Sequence, residues 1–165
     1  MQNRMQGAKA KARGQQFENL VEKSCSYYAH KKIALIEKTP EPLRMIKRGR
    51  GSQVIAVFEK KGQPDFKGTV FGGQSVVFEA KHTSGARITL DRVERHQLAN
   101  LSLHKRLGAE CFILISFELK SFYRVPIEDW EALPGALNKK SANEKDLTQY
   151  KVDVKHGVID FLGKL

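Results

Sequence analysis

Two carboxylates and one lysine are spaced so that they could act together on a phosphodiester. Asp65 follows a proline, and Glu79 and Lys81 stand further along the chain with only Ala80 between them. Two carboxylates on one face can hold Mg²⁺, which prefers oxygen ligands and keeps some of its waters. The ion polarises a phosphate and lowers the pKa of its bound water, and a lysine in the same cleft stabilises the charged transition state. The pattern predicts a metal-dependent DNA endonuclease centred on Asp65, Glu79 and Lys81.

This pattern, which is of the PD-(D/E)xK type, has low specificity by itself because it arises often by chance. In the alternative interpretation, Glu79 and Lys81 form an exposed ion pair on one strand face and Asp65 is a turn residue. The surroundings favour catalysis. The pair lies mid-strand between apolar positions, Asp65 precedes another strand, and the chain is basic.

The strands around the motif decide whether its side chains meet. Residues 66–70 and 75–83 have strand-like patterns and are joined through Gly72-Gly73. Alternation places the odd-numbered residues from 77 to 83 on one face and the even-numbered residues on the other. A two-residue turn would pair position 65 with position 80, on the wrong face, whereas a three-residue loop with Gly73 in the left-handed region pairs it with position 79. We therefore expect the three-residue loop, or an Asp65 just outside the ladder.

The remaining elements alternate between helix and strand. Apolar residues at three- and four-residue steps predict a helix from residue 14 to about residue 30, with Glu18 beside the apolar stripe. Asp91 and Glu94 have the spacing of a capping box at the start of a second helix. The expected helices cover 14–30, 91–107 and 126–133, and the further strands cover 33–37, 54–58, 111–117 and 122–125. This order predicts an α/β domain with a mixed sheet.

Charge is the strongest compositional signal. The 165 residues include 29 Lys and Arg against 18 Asp and Glu, a formal charge of +11, which favours a polyanionic partner, above all nucleic acid. The charge is clustered at 1–13 and 44–61, which argues against a merely soluble basic protein. We predict a flexible basic arm at 1–13 and a single nuclease domain at 14–165, with a stalk-like insertion at 44–61. For that insertion a hairpin, a projecting arm and a flexible loop stay open.

Several classes of protein are disfavoured. No run approaches the roughly 18–20 apolar residues that span a bilayer, and the basic N-terminus lacks the apolar region of a signal peptide. Cys25 and Cys111 lie among apolar neighbours outside any CxxC pair, so we expect reduced thiols and no zinc site. The protein is expected to be cytoplasmic and to have no membrane partner.

Several stretches resemble the RecU family of Holliday junction resolvases, which have a restriction-endonuclease-like fold. In family order they are residues 37–42 (EKTPEP), 44–61, 64–68 (PDFKG), 77–83 (VFEAKHT), 96–97 (HQ) and the apolar strand 111–117. The resemblance implies an α/β fold, a restriction-endonuclease-like mixed β-sheet flanked by helices, with a projecting basic stalk. It also implies a Mg²⁺-dependent homodimer that resolves four-way junctions by paired symmetric nicks during recombination and repair. Mn²⁺ is an alternative ion, and a recombinase is a candidate further partner.

The resemblance also assigns roles to single residues. In the family an Asp, a Glu, a Gln and the residue two before the Asp hold one metal. Asp65, Glu79 and Gln97 match the first three, and Gln63 stands where the family usually has Thr. Lys81 matches the catalytic lysine, and Glu18 matches a glutamate that an N-terminal helix brings to the site. The residues expected to bind DNA are Lys38, Arg13, Arg44, Lys47, Arg48 and Arg50.

These assignments compete with simpler ones. Gln97 and Glu18 would otherwise be ordinary surface residues of helices, and neither His82 nor His96 is expected to be catalytic. Two other functions stay open, namely a restriction-like or repair nuclease on linear duplex and a non-catalytic architectural protein that binds junctions. Two carboxylates in a DNA-binding cleft count against the architectural function, because they would weaken binding unless a metal neutralised them.

Overall fold

A computed structural model describes residues 2–40, 43–48, 54–58 and 63–165, with side chains for residues 7–40 and 63–165. The helices are α1 (Gln2–His30), α2 (Arg95–Arg106) and α3 (Ile127–Leu137), and 3-10 turns lie at Leu90–Arg92 and Thr148–Tyr150. The strands are β1 (Ala34–Lys38), β2 (Leu43–Arg48), β3 (Val54–Phe58), β4 (Phe66–Val70), β5 (Ser75–Thr83), β6 (Arg87–Thr89), β7 (Glu110–Phe117), β8 (Ser121–Pro126), β9 (Ser141–Asn143), β10 (Lys151–Val152), β11 (Val154–Lys155) and β12 (Val158–Ile159).

A six-stranded mixed sheet forms the centre of the protein. Its strand order is β1-β4-β5-β7-β8-β10, and only the β5–β7 pair is parallel. A parallel pair needs a crossover connection, and α2 lies in that connection. The predicted α/β fold, with a mixed sheet flanked by helices, is confirmed.

Two hydrophobic cores cover the two faces of this sheet. Phe17 and Tyr28 of α1 pack in one core, while Leu101 of α2 and Trp130 of α3 pack in the other. Strand β5 serves both cores through alternation, because its even-numbered residues from 76 to 80 face α1 and residue 77 faces α2. Residues 79 and 81, which follow residue 77 on the same face of β5, can therefore carry polar side chains at the edge of the α2 layer.

Both cysteines are buried free thiols, as predicted, with one in each core. Burial raises the pKa of Cys25 to about 12 and that of Cys111 to about 11. Among the described helices, none combines the length and the apolar character that a bilayer span requires.

Helix α1 begins at Gln2, twelve residues before the predicted start at Gly14. Apolar periodicity marks only the part that packs against the sheet, whereas the preceding residues are mostly Gln, Ala, Lys and Arg. These are strong helix formers and extend the helix without needing a buried face. The predicted basic arm is thus the first part of a helix, and its flexibility stays a prediction.

Helix α2 begins later than predicted. Val93 has an extended backbone and is buried, so the chain cannot be helical from Asp91 onward. The capping box joins Glu94 and Gln97, and the predicted box of Asp91 and Glu94 is wrong. The position of the capping box matters because it determines which side chain in the first turn of α2 points toward the sheet.

The 44–61 insertion contains an antiparallel hairpin. Strands β2 and β3 form a separate two-stranded sheet, with a register irregularity between Met45 and Lys47. The predicted strand over 54–58 is confirmed as β3. Arg44, Lys47 and Arg48 lie on β2, whereas Arg50 lies outside the described residues.

Gly68 allows β4 to approach β1 closely, and its replacement by alanine should destabilise the fold. A Cβ at this position would lie 2.0 Å from the Leu35 carbonyl oxygen and 2.6 Å from the Ile36 Cα, both backbone atoms that cannot rotate away. We expect Gly68→Ala to lower the free energy of unfolding by roughly 2–4 kcal/mol, the range of severe core changes. Urea denaturation measures the loss. Gly85→Ala is the control, since its nearest contact would be an ordinary 3.7 Å.

Candidate active site

The β4–β5 hairpin sets Asp65 opposite Glu79. Phe66 pairs with Phe78, so the next position outward pairs residue 65 with residue 79. The connection is the predicted three-residue loop, since Val70 N–H donates to the Gln74 carbonyl across it at 2.8 Å. Gly72 and Gly73 adopt φ values of 95° and 89°, which favour glycine. Both the loop and the position of Asp65 just outside the ladder are confirmed.

Asp65, Glu79 and Lys81 form a compact cluster. Lys81 Nζ lies 2.8 Å from Glu79 Oε2 and 3.7 Å from Asp65 Oδ2. Asp65 Oδ2 also accepts a hydrogen bond from the Ala80 N–H at 2.9 Å, which holds it against β5. The side chain of Glu79 is 1% exposed and that of Lys81 is 14% exposed. The interpretation as an exposed ion pair is therefore wrong.

Gln97 joins the cluster from α2. Its Nε2 donates to Glu79 Oε2 at 2.6 Å, and its Oε1 accepts from the Glu94 N–H at 3.1 Å as part of the capping box. The amide thus links the first turn of α2 to β5. The structure thus brings Gln97 into contact with Glu79, and its role as a metal ligand stays a prediction.

Glu79 is an acid in an unfavourable environment. Burial raises its pKa to about 8, the Lys81 ammonium opposes this rise, and the Asp65 carboxylate adds to it. Burial lowers the pKa of Lys81, but Asp65 and Glu79 raise it by more, so the lysine stays charged. Within the described part of the chain, Glu79 Oε1 is buried with no hydrogen-bond partner. One oxygen of the Glu79 carboxyl group is therefore left without a donor from the described residues.

This deficit fits a divalent cation bound by oxygen atoms. An ion near Glu79 Oε1 would pair the unbonded oxygen and offset the repulsion from Asp65. Among the described residues, no third His, Cys, Asp or Glu completes a metal-binding group with these two. The remaining ligands would be amide, water and phosphate oxygens, which Mg²⁺ accepts.

Glu18 lines the cavity beside this cluster, which has a volume of about 540 Å³. Its Oε2 lies 2.7 Å from Lys38 Nζ, and Glu22 Oε1 lies 3.3 Å from the same nitrogen. Glu18 therefore lies on the same cavity as Lys81 and Gln97, and its predicted catalytic role stays a prediction. Lys38 is already paired with two acids, so DNA binding by Lys38 would compete with α1.

The other predicted residues lie around this centre. Gln63 is exposed, and its Oε1 accepts a hydrogen bond from Lys67 Nζ at 2.7 Å. Arg13 is partly exposed on α1. His82 bonds to Ser116 and Ser84 through its two ring nitrogens, and burial followed by the charges of Arg13 and Arg92 lowers its pKa. A histidine fully engaged in this way fits the prediction that it is not catalytic.

The segment between β6 and α2 supplies residues that sequence reasoning missed. Thr89, Asp91 and Arg92 all line the active-site cavity. The sequence pattern placed residues 91 and 92 inside a helix, where their direction was undetermined. The sequence did contain one indication of their role, because Asp91 and Arg92 are two adjacent charged residues shortly before the helix that carries Gln97.

Comparison with known proteins identifies the family. Residues 12–164 match the sequence model of RecU, Recombination protein U. The chain belongs to the RecU family. It is 31% identical over 121 residues to the Holliday junction resolvase RecU of Streptococcus sanguinis strain SK36, which covers 69% of this chain and 60% of the relative. It is 33% identical over 121 residues to the RecU of Streptococcus suis strain 05ZYH33, covering 69% and 58%.

These alignments span about 60% of the length of the curated relatives. Among solved structures, Hjc, a Holliday junction resolvase from the archaeal hyperthermophile Archaeoglobus fulgidus, aligns with 78% of this chain and 90% of its own. The sequence identity of that pair is 13% and the TM-score is 0.48. The RecU resemblance of the sequence is confirmed by the family match.

Proposed function

We propose that this protein is a divalent-metal-dependent, structure-specific DNA endonuclease that resolves four-way junctions. The observation that carries the proposal is the buried Glu79 carboxyl group, which lies beside Asp65, Lys81 and Gln97 and has one oxygen without a hydrogen-bond partner among the described residues. Membership of the RecU family and relatives named Holliday junction resolvases support the choice of substrate. The basic composition is consistent with a DNA partner.

Asp65 and Glu79 would hold the metal, Mg²⁺ or in its place Mn²⁺. Gln97 would serve through its amide oxygen, at the expense of its bond to the Glu94 N–H, and Gln63 is the fourth proposed ligand. When bound, such an ion polarises the scissile phosphate and lowers the pKa of an attacking water. Lys81, whose ammonium lies between the two carboxylates, would stabilise the charge that develops on the phosphoryl oxygens. Glu18, which lines the cavity beside the cluster, would act as a further catalytic residue.

Paired symmetric nicks during recombination and repair require two such sites related by a two-fold axis, so we propose a homodimer. The β2–β3 hairpin would act as the stalk that enters the junction, with Arg44, Lys47, Arg48 and Arg50 on phosphates, and Arg13 and Lys38 on flanking DNA. Phosphate contacts give affinity without sequence readout, which suits recognition of a shape. A recombinase is a further proposed partner, and the proposed compartment is the cytoplasm.

The test compares the wild type and Asp65→Asn on a synthetic four-way junction and on a matched linear duplex, each with and without Mg²⁺. We expect paired nicks on the junction alone, dependent on the metal, and a loss of at least about 100-fold in the variant, the scale for removal of one charge-stabilising group. Sedimentation measures the dimer in parallel. Equal cutting of linear duplex would support a restriction-like or repair nuclease, and binding without cleavage would support an architectural protein.

A further inference from the structure

A second cavity adjoins the active-site cavity beside His82. It has a volume of about 280 Å³ and is lined by Ala10 of α1 on one side and by Arg87 of β6 on the other. The two cavities share His82, Thr89 and Arg92 in their linings. Together they form one groove, which runs from Lys81 between α1 and the β6–α2 segment. We refer to it as the α1 groove.

Arg92 lies where the two cavities meet, and no described residue supplies it with a counter-ion. It is exposed, and no described acidic side chain lies within 4 Å of its guanidinium group. Glu94 lines the same groove but pairs with His96 at 3.3 Å, and Arg87 is engaged with Ser141 and Asp146. The nearby charged groups that act on Arg92 include Lys81, which repels it. Lys81 lines the groove with Arg92, as do the acids Glu18 and Asp91, but no described carboxylate contacts the guanidinium group, which is therefore available to bind an anion.

On the opposite side of the groove, α1 contributes two residues with little or no side chain. Ala10 and Gly14 are one helical turn apart and both line the groove. A Cβ at Gly14 would meet no atom within 4 Å, so packing within the protein does not require this glycine. Glycine in a helix interior lowers helix stability relative to alanine. Close approach of a ligand backbone would explain why the residue is glycine.

We propose that the α1 groove holds the DNA strand next to the scissile phosphate, with Arg92 binding a phosphate of that strand. The inference rests on the proposed function and adds a binding residue and a strand path to it. A sugar–phosphate backbone fits these observations because its phosphates would supply an anion to Arg92 and its approach to α1 would use the open space at Gly14. Arg13 lies near His82 from the α1 side and would face the same strand.

The first test compares Arg92→Ala with Arg95→Ala. Arg95 is the matched control because it is an exposed arginine three residues away that does not line the groove. Affinity for a four-way junction is measured in EDTA, which prevents cleavage, over a range of salt concentrations. We expect Arg92→Ala to weaken binding about 5- to 20-fold and to reduce the salt slope by about 1, as for the loss of one phosphate contact. Arg95→Ala should change affinity less than about twofold.

The second test compares Gly14→Ala with Gly7→Ala. Both glycines lie in α1 and neither has an atom within 4 Å of the new Cβ, so both changes should raise the melting temperature. Only Gly14→Ala should weaken junction binding and slow cleavage, because only Gly14 lines the groove. A stabilised variant with reduced binding separates a lost contact with DNA from a failure to fold.

These outcomes separate the groove from the proposed function. If the wild type cuts no DNA while Arg92→Ala still weakens binding, DNA binding in the α1 groove is supported and the nuclease assignment fails. If the wild type cuts junctions but Arg92→Ala and Arg95→Ala bind alike, the groove proposal is overturned. Equal binding by the two glycine variants would likewise overturn the path along α1.

Discussion

Replacing Glu79 by glutamine should abolish cleavage and, at the same time, stabilise the metal-free protein at pH 8. Glu79 is 1% exposed, and burial raises its pKa to about 8, compared with an ordinary 4.5. A group whose pKa is raised on folding favours the folded state below its unfolded pKa. That contribution is lost as the pH rises toward the folded pKa. The wild type should therefore lose stability between about pH 5 and pH 8.

Glutamine removes the charge but keeps one acceptor oxygen, which can take the place of Glu79 Oε2 as acceptor for both Lys81 and Gln97. We expect the free energy of unfolding of Glu79→Gln in EDTA to exceed that of the wild type by roughly 1–3 kcal/mol at pH 8, with little difference near pH 5. Urea denaturation at the two pH values measures this. Mg²⁺ should stabilise the wild type but not the variant, since only a state that binds the ion gains from it.

Glu131→Gln is the matched control for this experiment. Glu131 lies on the exposed side of α3, where it accepts a hydrogen bond from Ser102. The same substitution there should leave both the pH dependence and cleavage unchanged. If the wild type and Glu79→Gln have equal free energies of unfolding at pH 8, the buried Glu79 carboxylate does not destabilise the metal-free protein and the prediction is wrong.

Replacing Lys81 by methionine should reduce cleavage by about 100- to 1000-fold, the scale for loss of one group that stabilises transition-state charge. It should also destabilise the protein in a pH-dependent way. Without the ammonium 2.8 Å from Glu79 and 3.7 Å from Asp65, the two carboxylates repel each other with nothing between them. The pKa of Glu79 should rise further, so stability should continue to fall to a higher pH than in the wild type, where the loss ends near pH 8.

The chain provides a matched control in Lys120. It pairs with Glu118 at 2.9 Å and is also two residues away from its partner, but both side chains are exposed. Lys120→Met should leave cleavage and stability nearly unchanged because surface pairs contribute little. Combining Lys81→Met with Glu79→Gln should remove most of the added pH dependence. If the double variant keeps it, the coupling of Lys81 to Glu79 is not its cause.

The cluster of Asp65, Glu79 and Lys81 could be identified from local sequence because it lies on a single hairpin. Strand alternation and a two-glycine loop are short-range features, so turn geometry limited position 65 to two pairings, and a shared face for the two carboxylates selected position 79. The resemblance to RecU then extended the prediction to Gln97, on a helix that no local pattern connects to β5. The α/β class followed from the alternation of helices and strands in the same way.

Other features required the tertiary structure. The extent of α1 was underestimated because its first part has helix propensity without a buried face, and apolar periodicity cannot detect such a segment. The start of α2 was misplaced because Val93 is held extended by burial, a constraint set by residues distant in sequence. As a result, Asp91 and Arg92 were assigned to a helix and not to the wall of a groove.

The sequence by itself determined which residues could do chemistry and which strand faces they share, since both depend on spacing along one or two neighbouring strands. Only the tertiary structure decided their environment. The burial that raises the pKa of Glu79, the acids that engage Lys38 and the groove that exposes Arg92 all arise where α1, β5 and the β6–α2 segment meet. Electrostatic energies depend on the distance between charges and on their access to water, and these elements are brought together only by packing.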